Sequence, residues 1–226
     1  MNNDPLISIL MSAHNAENTI KDAVRSIQTQ TYNNLEIFII DDGSSDSTYA
    51  VLKKMANQDS RIKLLKNEVN IGLTKSLNIL VNSCAGSIIA RQDADDTSLP
   101  HRIEIQLKIL QSYSLDFCSS RAIVKNSKKR IPNLSYYLPK KQLLKFKNPF
   151  IHGTLMIKKD ILLEVGGYDE NFYYAQDYKL MKKLISKNYN YRMIKSPLYI
   201  LNTEDNISTL KKNEQRKYAN DVKRGK

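Results

Sequence analysis

Ile37-Phe38-Ile39-Ile40-Asp41-Asp42-Gly43 sets a short apolar run directly against paired carboxylates, and Ile88-Ile89-Ala90-Arg91-Gln92-Asp93-Ala94-Asp95-Asp96 repeats the arrangement further along. Apolar runs of this length closed by turn residues predict buried strands. Carboxylates at the carboxyl ends of such strands stand where open α/β sheets bind ligands. Five aspartates crowded there repel one another unless a cation or hydrogen-bond donors compensate them. That combination predicts a divalent metal acting with a phosphate-bearing ligand.

Outward from these runs the chain alternates in period. Leu6–Met11 reads as a strand, and a helix follows over about 17–30, where Ile20, Val24 and Ile27 share one face. Leu35–Ile40 is the second strand. Gly43-Ser44-Ser45-Asp46 supplies turn and cap chemistry for a helix ending near Asn57. Ile62–Leu65 predicts a third strand, and Leu73, Leu77, Leu80 and Val81 line a further helix. Ser87–Arg91 is the fourth strand, and Pro100 opens a helix carrying Ile103, Leu107 and Leu110. This alternation predicts βαβ units and a mostly parallel sheet. Beyond Leu115 the pattern loosens, and residues 125–149, basic and with three prolines, read as an irregular crossing. Regular signals return at Gly153–Ile157, Asp177–Ser186 and Tyr191–Leu201.

The 226 residues fit one domain over 1–210, divided at about residue 98 into halves 1–98 and 99–210, with 211–226 as a basic tail. The hydrophobic share of 41% suffices for a sizeable core. No apolar stretch approaches the roughly 20 residues that cross a bilayer, and Met1-Asn2-Asn3-Asp4-Pro5 lacks the pattern of a signal peptide. Cys84 and Cys118 are too few for a disulfide framework, which predicts core cysteines in a reducing cytoplasm. Residues 1–100 hold 9 Lys+Arg against 12 Asp+Glu, whereas 101–226 hold 26 against 11. A basic second half predicts an anionic partner or peripheral contact with the inner face of a membrane, against the plainer reading of a solvated lysine-rich surface.

Asp93-Ala94-Asp95 has a geometric meaning: in extended backbone, residues i and i+2 face the same way, so two carboxylates reach one site. Hard oxygen donors suit Mg²⁺ or Mn²⁺, ions that also bridge phosphates.

Six pieces in order carry a resemblance. They are Ile7-Ser8-Ile9-Leu10-Met11-Ser12-Ala13-His14-Asn15, Ser26-Ile27-Gln28-Thr29-Gln30-Thr31-Tyr32, the stretch Glu36 to Asp46, Asn70-Ile71-Gly72-Leu73-Thr74-Lys75-Ser76-Leu77-Asn78, the stretch Ile89 to Asp96, and Gly166-Gly167-Tyr168-Asp169-Glu170 with Ala175-Gln176-Asp177-Tyr178. From about Ile7 to Leu201 the chain resembles the family 2 glycosyltransferases, inverting enzymes of the Rossmann-like GT-A fold that use nucleotide-diphosphate sugars. The resemblance implies that Ser12, Ala13, His14 and Asn15 contact the nucleotide and that Asp42 accepts a hydrogen bond from its base. It also implies that Asp93, with Ala94 beside it, holds the ribose or donor sugar and that Asp95 ligates Mn²⁺ or Mg²⁺, Asp93 being a second candidate ligand. The resemblance likewise implies that Asp177 is the catalytic base, that about 1–98 is the nucleotide-binding half and that 99–210 is the acceptor-binding half.

Lys75, Arg91 and Arg102 are candidates to approach phosphates, against ordinary ion-pair roles. His152 and Gln176 are acceptor-side candidates, although a lone histidine near a strand is more often structural. Tyr136, Tyr137, Tyr168, Tyr173 and Tyr174 could stack on sugars, though half-buried tyrosines commonly just pack. The sequence departs from the family pattern in three places: Gln176 replaces a frequent glutamate, Gly153 a frequent proline, and Asn202 part of a Tyr-Arg pair.

The expected activity is metal-dependent inverting transfer of a sugar, from UDP-sugar or another nucleotide sugar, to a hydroxyl of a glycan or lipid-linked saccharide in cell-envelope polysaccharide assembly. The alternatives are a nucleotidyltransferase, which would want a glycine-rich basic loop where Ser12-Ala13-His14-Asn15 stands, and a basic nucleic-acid-binding module. The acidic clusters would repel nucleic acid, so none is expected as a partner. No G-x-G-x-x-G follows a strand, which disfavours a dinucleotide-dependent dehydrogenase.

Overall fold

The structure is a computed structural model that describes residues 4–204 and 211–225. The first half runs β1 (Ile7–Ala13), α1 (Ile20–Gln28), β2 (Leu35–Asp42), α2 (Thr48–Ala56), β3 (Ile62–Asn67), α3 (Leu73–Ser83) and β4 (Ile88–Arg91). It continues through β5 (Thr97–Ser98), α4 (Arg102–Ser112), β6 (Phe117–Val124), β7 (Arg130–Ile131), α5 (Lys140–Leu143) and β8 (Met156–Lys158). The last elements are α6 (Lys159–Glu164), α7 (Gln176–Ser186), β9 (Tyr191–Leu201) and α8 (Lys212–Arg224).

The strands form one sheet in the order β3-β2-β1-β4-β8-β6-β9-β5, with β7 added on β6. β3, β2, β1 and β4 are all parallel neighbours, as the alternating pattern predicts. The second half is mixed: β8 is antiparallel to β4 and β6, β5 to β9 and β7 to β6, while β6 and β9 are parallel.

Both faces of the sheet are covered, and the strands show it residue by residue. Ile7, Ile9 and Met11 join the core under α1, α2 and α4, whereas Leu10 between them joins the core under α3, α6 and α7. Ile37 and Ile39 against Ile40, and Ile88 and Ala90 against Ile89, divide in the same way. Strands buried on both sides have no polar face, and so they read as unbroken apolar runs. The helices packed on the sheet lay one stripe against it; Ile20, Ala23, Val24 and Ile27 of α1 are all fully buried.

The strand β6 is the main departure from the sequence reading, which dissolves after Leu115. Its interior, Cys118-Ser119-Ser120-Arg121, is polar although the strand is almost wholly buried. At Cys118 and Ser120 hydrogen bonds stand in for apolar packing. The Ser120 amide donates to Thr154 Oγ1 at 3.1 Å, and Gln106 Nε2 donates to the Thr154 carbonyl at 2.8 Å. The crossing at 125–149 contains β7, α5 and a short 3₁₀ turn at Leu134–Tyr136, so it is less irregular than its composition suggests.

The basic tail forms α8. It is mostly exposed but is anchored by Val222, buried to 1%, and by the Tyr218 ring against Phe172 and Tyr174. The Lys182 ammonium on α7 also donates to the Val222 carbonyl. The domain boundary expected at residue 210 lies outside the described residues. Cys84 and Cys118 are buried and unpaired with each other, as core cysteines should be. Among the described residues no helix is long and apolar enough to cross a membrane.

Candidate active site

The carboxyl ends of β1, β2 and β4 lie side by side, because Ala13 pairs in register with Asp41 and Leu10 with Arg91. The two acidic clusters therefore flank the loop that follows β1. That loop is laced to the turn after β2. The Asn15 amide donates to Ser44 Oγ at 3.0 Å, and the Ser45 amide returns a bond to Asn15 Oδ1 at 2.9 Å. His14 Nδ1 donates to the Asp42 carbonyl at 2.9 Å. Asp46 accepts the Thr48 amide at 2.9 Å in a turn just ahead of α2, whose N-cap residue, Ser47, makes no side-chain cap bond. Gly43 takes φ +66°, and a Cβ there would fall 2.5 Å from the backbone at Val69 and Asn70. Only glycine lets the two loops pass so closely.

Asp42 is 2% exposed, and its carboxylate is already engaged. Oδ1 accepts from Asn67 Nδ2 at 2.8 Å and from the Ile71 amide at 3.0 Å, and Oδ2 accepts from the Gly72 amide at 2.9 Å. Any base it meets is met by the capacity left on Oδ2. Ser12 is half-buried, Ala13 buried, His14 and Asn15 exposed, and Lys75 stands exposed on the first turn of α3.

The second cluster is built over two buried guanidinium groups. Arg91, fully buried, donates through Nη1 to the Leu10 and Gln92 carbonyls and through Nη2 to Asp93 Oδ1 at 2.6 Å. Its Nε points at His152 Nε2, 3.4 Å away. Arg91 thus faces inward, holding Asp93 rather than reaching for phosphate. Arg102, also fully buried, donates to Gln106, Gln92, Ser98 and the Arg91 carbonyl and lies over the Tyr199 ring at 5.0 Å. Burial lowers its pKa to about 10.

Above this layer, Asp93, Ala94 and Asp95 are half-exposed and Asp96 is buried. Burial, and then the charge of Asp93, raise Asp95 to about 6. Burial with Asp93 and Asp95 raises Asp96 to about 9, although the Asn202 amide donates to its Oδ1 at 2.6 Å. A carboxylate trio compensated by one direct cation is a site short of positive charge. Among the described residues no group of three His, Cys, Asp or Glu side chains could by itself enclose a metal. A pair of carboxylates sharing a cation with diphosphate oxygens needs no such cage. The oxygen donors and the charge deficit therefore fit Mg²⁺ or Mn²⁺, with Asp95 and Asp93 the residues to hold it.

Asp177 lies in the first turn of α7 and is half-buried. Burial raises its pKa, and Asp93 is close enough to raise it further. Asn148 Nδ2 donates to Asp177 Oδ2 at 2.7 Å while Asn148 Oδ1 accepts the Phe150 amide at 3.0 Å, so the carboxylate is oriented by an amide that is itself fixed. Gln176 beside it is 6% exposed.

His152 serves the framework. Burial, and then Arg91, hold its pKa well below the usual histidine value, so it is neutral. Because Arg91 can only donate, Nε2 is the acceptor, and it also takes the Tyr168 hydroxyl at 2.8 Å. Tyr168, 2% exposed, packs rather than stacking on a ligand; Tyr173 stays 44% exposed.

Three residues of the site carry little sequence signal. Asn148 lies in the irregular crossing. Tyr199 sits in an apolar strand, yet its hydroxyl accepts the Asp93 amide at 3.0 Å. Gly153 replaces a proline for a visible reason: a Cβ there would meet Tyr199 Oη at 2.3 Å and Asp93 Oδ2 at 2.7 Å.

Residues 8–166 match the model of the family described as Glycosyl transferase family 2. The chain is 34% identical over 191 residues to the O-antigen biosynthesis glycosyltransferase WbnJ of Escherichia coli, covering 83% of this chain and 74% of WbnJ. Its fold is shared with S. aureus TarS 1-349 in complex with UDP-GlcNAc, at a TM-score of 0.76 and 17% identity over 88% of this chain. It is shared equally with the mannosyltransferase PcManGT of Pyrobaculum calidifontis in complex with GDP-Man and Mn²⁺, at 0.76 and 18% over 96%. The chain spans 59% and 62% of those two solved chains.

The Gly153 contact gives a direct test. Gly153→Ala should destabilise the protein by about 1–3 kcal/mol, as overpacking does, in chemical denaturation. A denaturation midpoint equal to wild type would mean that Asp93 and Tyr199 are not pressed against this backbone.

Proposed function

This chain belongs to glycosyl transferase family 2, and from that premise we propose that it transfers a sugar from a nucleotide-diphosphate donor, UDP-sugar foremost, to a hydroxyl of a glycan or lipid-linked saccharide. The observation that carries the reading is the meeting of Asp93, from the acidic loop after β4, with Asp177 from α7, close enough for Asp93 to influence its ionisation. In this reading Asp42 and the Ser12–Asn15 loop meet the nucleoside, and Asp93 with Ala94 meets its ribose and sugar. The UDP-GlcNAc and GDP-Man complexes of the two fold neighbours accord with a nucleotide-sugar donor, and the biosynthetic name of WbnJ with a glycan acceptor.

In this reading Asp177 takes the proton from the acceptor hydroxyl as it attacks the anomeric carbon. Burial makes its carboxylate a stronger base than one in water. Asn148 orients it without the neutralisation that a cationic partner would bring. The nucleoside diphosphate leaves from the opposite face, so one displacement inverts the anomeric centre. Mn²⁺ or Mg²⁺ held by Asp95, with Asp93, would supply Lewis-acid stabilisation of the developing negative charge. Arg91 and Tyr199 keep Asp93 in place through its side chain and its amide.

The acceptor side also supports contact with a membrane surface. Leu134, Tyr137, Leu138 and Phe146 are exposed at 78%, 66%, 51% and 70%, within a segment in which residues 125–149 hold eight Lys+Arg and no Asp or Glu. Apolar side chains among lysines suit an anionic interface. The buried, unpaired cysteines accord with a reducing, cytoplasmic setting.

Three measurements follow. Calorimetric affinity for UDP should fall on chelating Mn²⁺ and in Asp95→Ala; an affinity unmoved by both would remove Asp95 as metal ligand. Asp177→Asn should keep UDP binding and lose transfer by a factor on the order of 10²–10⁴, and near-normal turnover would exclude it as the base. The chain should float with anionic liposomes and less so once Leu134 and Phe146 are changed to Ser; absence from anionic and neutral liposomes alike would reject the membrane contact.

A further inference from the structure

Three arginines are deeply buried among the described residues: Arg91 and Arg102 at 0% exposure and Arg121 at 7%. The first two are wrapped in hydrogen bonds. Arg121 has none. Its Nε is enclosed without a partner, and the contact it does make is with the Tyr136 ring, whose centroid lies 5.4 Å from the guanidinium carbon. Two residues earlier on β6, Ser119 is 1% exposed, and its Oγ is likewise enclosed without a partner. Alternation along the strand sets the two side chains on one face. Phe117 shares that face and packs on Phe150, with ring centroids 6.3 Å apart.

Nothing nearby in sequence supplies a counter-charge. From residue 117 to residue 159 the chain holds eleven Lys+Arg and no Asp or Glu. Lys140, 9% exposed, brings its ammonium to the same Tyr136 ring, 5.4 Å from its centroid, but is satisfied by the Ser135, Tyr136 and Leu138 carbonyls. Leaving the Arg121 Nε–H and the Ser119 hydroxyl enclosed without partners costs about 1–3 kcal/mol each. A fork of N–H donors beside a hydroxyl is the donor set that grips an oxyanion. Phe150 also lines a cavity of about 530 Å³ together with Ile131, Pro132 and Asn148, and Asn148 is the residue that orients Asp177.

We infer that Arg121 and Ser119 form an oxyanion-binding site on the acceptor side, taking a phosphate ester or carboxylate of the acceptor and so selecting an acidic acceptor. The assignment to the acceptor rests on the transferase reading above; the anion site itself does not. The guanidinium binds the oxyanion through its paired N–H groups, the Ser119 hydroxyl donates to a further oxygen, and binding supplies the counter-charge that the fold withholds.

The test is thermal melting of the full chain in EDTA with no nucleotide sugar present, so its result is independent of whether transfer occurs. Inorganic phosphate and glucuronate are titrated against sodium chloride at equal ionic strength, in wild type, Arg121→Met, Ser119→Ala and Asp95→Ala. Wild type and Asp95→Ala should be stabilised by one or both anions beyond chloride. A response to phosphate alone assigns a phosphate ester, and a response to glucuronate alone a carboxylate. Ser119→Ala should bind on the order of tenfold more weakly, and Arg121→Met should show no anion-specific rise. Should Arg121→Met fail to fold, Arg121→Lys replaces it and should weaken binding on the order of tenfold. Absence of an anion-specific rise in wild type, its survival in the Arg121 variant, or its loss in Asp95→Ala would each overturn the site.

Discussion

The acidic loop after β4 depends on the two guanidinium groups buried beneath it. Three aspartates within four residues, one of them buried, would not stay folded against their own repulsion in an apolar setting. Arg91 answers with a 2.6 Å bond to Asp93 and anchors itself to the Leu10 carbonyl of the neighbouring strand. Arg102 braces Arg91 from below through its carbonyl. Removing one member of such a layer strands the other charges, which is why buried pairs are costly to break even where they add little net stability. The layer compensates Asp93 directly but leaves Asp95 and Asp96 raised. The loop is thus stable enough to fold and still short of positive charge.

That division between held and unheld charge runs through the whole chain. The amino-terminal half is a parallel sheet whose loops present carboxylates. The carboxy-terminal half reaches the same site from antiparallel neighbours and, between Asp116 and Asp160, contains no carboxylate at all. Asp177 is the acidic group that the second half brings back toward Asp93, carried on α7. In the proposed reaction, acid-rich loops meet a donor through a cation, and the basic half meets what accepts the sugar.

The sequence is legible where burial is symmetrical and opaque where it is polar. β1, β2 and β4 are covered on both faces, so Ile7–Ala13, Leu35–Asp42 and Ile88–Arg91 announce themselves as apolar runs ending in loops. β6 is just as buried but spends its interior on serines and an arginine, and no periodicity marks it. Asp93 and Asp95 stand out as candidates by spacing, and Asp177 by resemblance. Their supports do not: Asn148 and Tyr199 act over separations of 29 and 106 residues, and such contacts leave no local pattern. Arg91 shows the converse error. A basic residue beside an acidic motif suggests a phosphate ligand, yet full burial turns it into the motif's foundation.

The neutral partners of Asp177 fit this electrostatic scheme. A lysine or arginine in place of Asn148 would depress the carboxylate's pKa beyond what the amide's hydrogen bond already does, whereas the neutral amide fixes one oxygen and leaves burial to keep the pKa raised. At position 176, which is 6% exposed, a glutamate would have to be protonated or paired. Pairing would require a cation close to Asp177, with the same depressing effect, and an unpaired charge would repel Asp177 and raise its pKa further. Gln176 avoids both outcomes. The departure from the family's frequent glutamate therefore removes a charge with no cationic side chain shown beside it among the described residues, while leaving intact the carboxylate that the proposed reaction uses.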